Sequence, residues 1–449
     1  MLRPSSDPLR PLPGVGRSLL LTVALLTACS PGGDDLGDIS EPAEDDPVTR
    51  PMALECAPDD DGLTLPDGFC AVVASEGIGP ARHIEVRDDG DVFVARPDRR
   101  GGERGGVTAL RDTTGDGRFD VEERWGDMGG NEVLLDGDRL YFAPPDRILR
   151  YHVPAGTLTP SGEPETLVSG LPADRNHTAK SVALGSDGAL YVNIGAPSNA
   201  CQQQPRTAGS AGLDPCPQLE QRAGIWRFGA EGTGRTQADG RRFATGLRNV
   251  VALTTQPGTG QVYGVQHGRD QLHDLFPDLY TVEENAALPS EELVAIDDGD
   301  DFGWPYCYHD WQQGRKLLAP EYGGDGSTVG RCADAEDPLV AFPGHWAPND
   351  LAFYTGGQFP ERYQGGAFIA FHGSWNRAPL PQEGYNVVFV PFDGGRPTGE
   401  WEVFADGFRS EGGERESARP VGVATAPDGS LYVVDSQRGR IWRIVYEGS

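Results

Sequence analysis

Positive charge is scarce in this 449-residue chain: 38 Lys and Arg face 68 Asp and Glu, for a formal net charge of −30. That balance argues against nucleic-acid binding, because neutralising phosphates takes a cationic face. It favours neutral or cationic partners. Only two of the basic residues are lysines, Lys180 and Lys316. Long helical periodicity is also missing: beyond residue 30 no 3.6-residue apolar repeat is sustained for three turns. Neither Cys-x-x-Cys nor a mixed Cys/His ligand spacing occurs. A zinc cluster is therefore disfavoured, and a covalent haem-attachment motif is absent. The apolar run from Ser18 to Ala28 is too short to span a bilayer.

That run has the layout of an export signal. Arg3, Arg10 and Arg17 precede it, and it ends in Leu26-Thr27-Ala28-Cys29. The last four residues resemble the lipobox of bacterial lipoproteins, with Cys29 as the lipidated residue; ordinary cleavage beside an incidental Cys is the alternative. The expected organisation is a lipoprotein signal peptide over 1–28, an acidic disordered tether over 29–55 and one folded unit over 56–449. The expected location is the periplasm or cell envelope, with membrane contact through the lipid anchor only. Setting Cys29 aside leaves six cysteines, which allow fifteen connectivities. They fall as close neighbours, and proximity makes Cys56–Cys70, Cys201–Cys216 and Cys307–Cys332 the expected pairs.

What the chain does have is turns, with 62 Gly and 37 Pro, and an internal repeat. A Gly-containing turn followed by an apolar strand occurs six times. It reads Asp89-Gly-Asp-Val-Phe-Val, Asp136-Gly-Asp-Arg-Leu-Tyr-Phe, Asp187-Gly-Ala-Leu-Tyr-Val, Thr259-Gly-Gln-Val-Tyr, Gly365-Gly-Ala-Phe-Ile and Asp428-Gly-Ser-Leu-Tyr-Val. Short apolar strands flank several copies. Strand, turn, strand repeated in this way is an antiparallel meander. Six copies predict an all-β fold, a six-bladed β-propeller of four-stranded antiparallel blades. A β-sandwich is the competing architecture, but sandwiches do not repeat one phrase six times. The unequal spacing places long insertions at 200–222 and 271–350.

Polar residues gather at the predicted strand ends. They are Asn176-His177, Asn199, Arg248-Asn249, His267-Gly268-Arg269-Asp270, His345 with Asn349-Asp350, His372 to Arg377, and Arg419. The ends of an antiparallel hairpin lie on one face, so Arg248 and His267 can meet the same ligand. Four of the eight histidines are in these clusters. Structural histidines are the ordinary reading for each one singly; four at blade-loop positions favour a site.

With these phrases in hand, the chain resembles the soluble glucose/sorbosone dehydrogenase family, six-bladed propellers that oxidise sugars with pyrroloquinoline quinone (PQQ). The ordered series is His177 before Gly-Ser-Asp-Gly-Ala-Leu-Tyr-Val, then Gly246-Leu-Arg-Asn, His267-Gly-Arg-Asp, Asp301-Phe-Gly-Trp-Pro, Gly373-Ser-Trp-Asn-Arg and Arg419-Pro-Val-Gly-Val. The resemblance implies PQQ and Ca²⁺ as cofactors, a small sugar as substrate and an external electron acceptor such as a cytochrome c or a quinone. It implies that His177 is the general base and that Arg248 lies against the quinone with Asn249 and His267 beside it. It also implies that main-chain carbonyls of Gly268 and Arg269 hold Ca²⁺ and that Arg377 and Arg419 meet cofactor carboxylates. Residue chemistry agrees: Arg forks suit carboxylates, His suits proton removal near neutral pH, and Ca²⁺ takes oxygen ligands. The chain departs from the family's soluble glucose enzymes at Asn176, where they carry an acid, and at His267 and Arg269, where they carry Gln and Pro.

Two further patterns have double readings. Asp112, Thr114, Asp116, Arg118, Asp120 and Glu123, with Gly117 between, follow the calcium-loop spacing and equally fit a polar hairpin. Trp304, Trp311, Trp346 and Trp375 are either a sugar-stacking platform or packing between blades. Two functional rivals complete the reading: a Ca²⁺-dependent propeller lactonase, which needs carboxylates facing the channel, and a non-catalytic propeller that binds a glycan or a protein.

Overall fold

The computed structural model describes Cys56 and residues 60–448, apart from 100, 174, 175, 230, 411, 412 and 414–416. The signal peptide, Cys29 and most of the tether lie outside the described residues. Six blade sheets follow the repeat, antiparallel throughout except that the two-residue strand Arg235–Thr236 adds in parallel to the outer edge of blade 2. Blade 1 runs Ile84–Val86, Val92–Arg96, Gly106–Arg111 and Val121–Trp125, and blade 2 runs Glu132–Asp136, Arg139–Ala143, Ile148–His152 and Glu165–Ser169. Blade 3 runs Val182–Leu184, Leu190–Ile194, Gly224–Phe228 and Arg241–Thr245. Blade 4 is Val250–Thr255, Val262–Gln266, Glu291–Ile296 and Val340–Phe342; blade 5 is Pro348–Phe353, Ala367–Phe371, Asn386–Val390 and Glu402–Ala405. In blade 6, Pro420–Thr425, Leu431–Asp435 and Ile441–Tyr446 take their outer strand from the start of the folded unit, Phe69–Ser75. The first and last strands among the described residues thus close the ring in one sheet.

Local chemistry explains the repeat. The turn glycines Gly188 and Gly429 sit at φ 73° and 87°, a region that L-residues avoid. Each turn delivers a second strand that neighbouring blades cover on both faces. Val92–Arg96, Ala367–Phe371 and Leu431–Asp435 are buried throughout, which is why they read as near-continuous apolar runs. Outer strands meet water, and Val121–Trp125 exposes Glu122, Glu123 and Arg124. Between blades 5 and 6 the closing strand is held by Phe69, whose ring lies edge-on to Phe359, Tyr363 and Phe404 at 4.8, 5.4 and 5.1 Å.

The insertions fall inside blades 3 and 4. One joins Ile194 to Gly224. Another, between Gln266 and Glu291, carries helices Leu272–Leu275 and Val282–Ala287; Thr281 and Glu284 form a capping box at the second. A third carries the hairpin Cys307–Asp310 with Arg315–Leu318. Disulfides join Cys56 to Cys70, Cys201 to Cys216 and Cys307 to Cys332, so proximity selected the right pairs. Cys201 lies two residues from Asn199, which holds a site arginine, and its bond closes a 15-residue separation. Replacing both Cys201 and Cys216 by Ser is expected to lower stability by about 3 kcal/mol, read as a lower denaturation midpoint with a steeper slope, because the unlinked unfolded chain exposes more surface.

The calcium-loop pattern lies in the turn between the third and fourth strands of blade 1. Asp112 spends its carboxylate on the main-chain N–H groups of Thr114, Gly115 and Gly117 at 3.1, 2.7 and 2.7 Å. Asp116 accepts from the Arg118 N–H, and Asp120 from Thr113. Glu123 lies mid-strand opposite Ala109. Among the described residues these carboxylates do not gather into a metal-sized group. Turn and calcium loop ask for the same Asp and Gly residues.

Candidate active site

In every blade the residues just before the first strand and just after the second lie at one end of the ring. That geometry brings together Arg82 and His83 (blade 1), Asn131 (blade 2), His177 and Asn199 (blade 3), Arg248, Asn249 and His267 to Asp270 (blade 4), His345 and His372 to Arg377 (blade 5), and Arg419 (blade 6). In blades 4, 5 and 6 a bulge interrupts the first strand near its start: between Val250 and Ala252, Pro348 and Asp350, and Pro420 and Gly422. Such bulges re-aim side chains beside sites. Left-handed backbone clusters here too, with His177, Gln271, His345 and Ala347 at φ 48°, 65°, 69° and 61°. Strain of this kind persists only where surrounding contacts hold it.

His177 is half-buried, and its Nδ1 donates to the Ala196 carbonyl at 2.6 Å. The neutral ring therefore keeps its lone pair on Nε2. Burial and the Arg248 guanidinium hold its pKa down at about 3, so the ring is unprotonated at neutral pH. Gly195 permits this placement: a Cβ there would lie 2.6 Å from the His177 Cβ and 2.7 Å from Asn249 Oδ1. Asn249 is fixed by Asn193, whose Nδ2 donates to its Oδ1 at 3.2 Å.

Asp270 is the hub. Its Oδ2 accepts from Arg248 Nη2 at 3.0 Å and from Arg206 Nη2 at 2.8 Å, and its Oδ1 accepts from Asn376 Nδ2 at 2.9 Å. Asn199 grips the same peptide, accepting from the Asp270 N–H at 2.8 Å and donating to the Asp270 carbonyl at 2.9 Å. It also accepts from Arg248 Nη2 at 3.1 Å. Burial would raise the Asp270 pKa, but Arg248, His345 and Arg206 overcome it and hold the group well below the usual carboxylate range. His267 donates from Nε2 to the Pro348 carbonyl at 2.7 Å; burial and Arg248 lower its pKa to about 4. His345 donates to the Asn285 carbonyl at 2.7 Å, which leaves its Nδ1 to accept from Asn376 at 3.3 Å.

The loop expected to offer carbonyls is firmly seated. Glu291 accepts from the Gly268 N–H at 2.8 Å and the Ala347 N–H at 3.1 Å, and the Arg269 guanidinium is ion-paired with fully buried Glu321. Among the described residues the carbonyls of Gly268 and Arg269 accept no hydrogen bond. They are oxygen donors of the kind Ca²⁺ takes, and arginine forks supply the charge that a tricarboxylate needs. The residues present fit the implied cofactors.

The two outer arginines divide. Arg419 stays with the cluster: its Nη1 donates to His372 Nδ1 and to the Gly373 carbonyl, both at 3.1 Å, and its Nη2 to the Tyr385 hydroxyl at 2.9 Å. Arg377 is committed elsewhere. It pairs with Glu383 at 2.8 Å and donates to the Pro381 carbonyl at 3.0 Å and to the Ala286 carbonyl. Its geometry here is that of a loop pin.

Sequence reasoning passed over Arg82, whose field reaches His372 together with those of Arg419 and His267. It also passed over a polar group in the central channel. There a cavity of 240 Å³, lined by the first strands of all six blades, holds His83, Glu85, Glu132 and Asp350. Both His83 nitrogens face acceptors, Glu132 Oε1 at 2.9 Å and the Asn349 carbonyl at 2.6 Å, so the ring carries two protons. Burial would lower its pKa, yet Asp350 and Glu132 raise it to about 9. The aromatic set also divides: Trp304 and Trp346 are 5 % and 8 % exposed and pack, whereas Trp311 and Trp375 are 39 % and 61 % exposed.

Fold and site together define a six-bladed propeller with histidine and arginine side chains gathered at one end of the ring. The chain belongs to the TrAA12-like family, whose profile matches residues 63–447. It is 28 % identical over 241 residues to the pyrroloquinoline quinone-dependent pyranose dehydrogenase of Coprinopsis cinerea, covering 46 % of this chain and 31 % of that one. The chain spans less than half the length of the curated relatives it matches. Among solved structures it is similar to the holo pyranose dehydrogenase PQQ domain of Coprinopsis cinerea, with a TM-score of 0.68 at 22 % identity over 85 % of this chain and 97 % of that one. The calcium structure of the Trichoderma reesei family AA12 enzyme aligns with a TM-score of 0.68 at 20 % identity, over 89 % and 99 % of the two chains. At these identities the structures establish the shared fold.

Proposed function

We propose that this chain is a PQQ- and Ca²⁺-dependent dehydrogenase that oxidises an aldose or a related sugar. The observation that carries the reading is His177: neutral, hydrogen-bonded through Nδ1, with Nε2 available beside Arg248. When bound, PQQ supplies the hydride acceptor and Ca²⁺ polarises it. Nε2 of His177 takes the proton of the C1 hydroxyl as the C1 hydride departs. Arg248, held by Asp270 and Asn199, supplies fixed positive charge where negative charge develops. The Gly268 and Arg269 carbonyls would hold the metal, and Arg419 with Arg82 would meet carboxylates. The named relative supports this substrate class and cofactor. An external acceptor, such as a cytochrome c or a quinone, would reoxidise the cofactor. Three disulfides support export to an oxidising compartment, and lipidation at Cys29 with an acidic tether over 29–55 completes the proposed organisation.

The test is titration of residues 56–449 with PQQ, with and without Ca²⁺, followed by addition of aldoses while the quinone absorbance is monitored. Stoichiometric binding with sugar-dependent bleaching is the expected result; absence of binding would favour the lactonase or the binding propeller. The pH profile is a second check. The His177 pKa lies below that of free imidazole, so the basic form persists as pH falls through 6.5 and is lost only near 3. The acid limb of kcat/KM is therefore expected well below 6.5; a limb at 6.5 would mean a solvated ring.

A further inference from the structure

We infer that His83 in the central channel is a positioning residue for the site: it holds the bulge of blade 5 whose neighbouring carbonyl orients His267, and it does so only while its ring carries both protons. The link is one peptide long. His83 Nε2 donates to the Asn349 carbonyl at 2.6 Å, and His267 Nε2 donates to the Pro348 carbonyl at 2.7 Å. Pro348 and Asn349 are consecutive, and the register shift between Pro348 and Asp350 makes Asn349 the extra residue of the bulge. His83 lines the channel cavity, whereas His267 stands at the site end directly before Gly268. One stretch of irregular backbone is therefore gripped from the channel by one imidazole and from the site by the other.

His83 is also the node of a polar belt beneath the site. Its Nδ1 lies 2.9 Å from Glu132 Oε1 and 3.7 Å from Asp350 Oδ1. Glu132 Oε2 accepts from the Val182 N–H at 3.3 Å, and Asp350 Oδ2 accepts from the Val423 N–H at 2.9 Å. These groups belong to blades 1, 2, 3, 5 and 6. A neutral imidazole has a single N–H, so a ring with acceptors at both nitrogens keeps both bonds only as a cation. If the proton leaves, the carboxylate is the stronger acceptor for the one that remains, and the Asn349 carbonyl is released. The titratable groups around the ring are Glu132 from blade 2, Asp350 from blade 5 and Glu85 two residues along its own chain. The first strands of blades 3, 4 and 6 bring none. Burial lowers the His83 pKa, but Asp350 and Glu132 overcome it and raise it to about 9. The contribution of the charged ring is thus fully present below the unfolded value of about 6.5 and is lost as pH rises through the folded value.

The functional consequence rests on PQQ binding at this site; the coupling of His83 to His267 does not. Protein carrying isotope-labelled histidine is titrated without cofactor through the His83 pKa by NMR, and comparison with His267→Gln assigns the His267 ring. The His267 Nε2 resonance is expected to move in step with the titration of His83. PQQ affinity, followed by absorbance with Ca²⁺ present, should fall about tenfold across the same step. At neutral pH His83→Gln should bind PQQ about tenfold more weakly than wild type and show no alkaline step, while His83→Lys, which keeps a cation and its donors, should recover most of the affinity. A His267 resonance that stays fixed while His83 titrates would overturn the inference, and that measurement needs no folded His83 variant. Wild-type affinity in His83→Gln, or an alkaline step that persists in it, would overturn it as well. If His267 follows His83 but wild type takes up no PQQ at any pH, the positioning role stands and the dehydrogenase reading falls.

Discussion

Replacing His177 by Asn is expected to lower sugar-dependent reduction by about 10²–10⁴-fold while leaving the binding of PQQ unchanged. The choice of variant matters. His177 occupies φ 48°, where Asn is tolerated and alanine is strained, so His177→Asn removes the base without asking the loop to move. An amide cannot take a proton, and the cationic groups around the ring do not depend on it: Arg248 is held by Asp270 and Asn199, and Arg419 by Gly373, Ser374 and Tyr385. Cofactor absorbance and enzyme turnover should therefore separate. The reading would fail if turnover persisted, because no other neutral imidazole in the cluster shows the same tautomer. His267 and His345 both donate from Nε2 to carbonyls, and His372 Nδ1 already accepts from Arg419.

Much of this was legible because it is local. The Asp-Gly turn and the apolar strand after it are set by φ and by burial on two faces, and both leave a mark within seven residues. The same register predicts which ends share a face, and so His177, Arg248 and His267 could be gathered before their distances were known. What escaped is non-local. Asp270 draws its meaning from Asn199 and Asn376, 71 and 106 residues away. The bulges before Ala252, Asp350 and Gly422 leave no clear signal in residue type. His83 was not legible as a site residue because its partners Glu132 and Asp350 come from blades 2 and 5, 49 residues or more away in sequence. The pairing of Arg377 with Glu383 was likewise invisible, because a cation in a family phrase says nothing about which carboxylate of the chain reaches it.

Truncating Asp270 to Ala should cost about 3–5 kcal/mol of stability, the range for leaving a buried charge without its partner, and should abolish turnover. Arg248 is the reason: its side chain is only 5 % exposed and cannot reach water when the carboxylate goes, whereas Arg206, at 40 %, can. The sign with pH follows from the depressed pKa of Asp270. Its contribution is fully present above the unfolded carboxylate value of about 3.9 and is lost as pH falls through the folded value, so the penalty of Asp270→Ala should shrink in strong acid. A double variant separates stability from function. Arg248→Met with Asp270→Leu removes both charges, so denaturation should recover most of the loss. Turnover should not return, because the fixed positive charge beside His177 is gone. If the single variant melted like wild type, the Arg248–Asp270 pair would not be the buried strut that the distances describe. If the double variant regained turnover, positive charge at Arg248 would have no part in the chemistry.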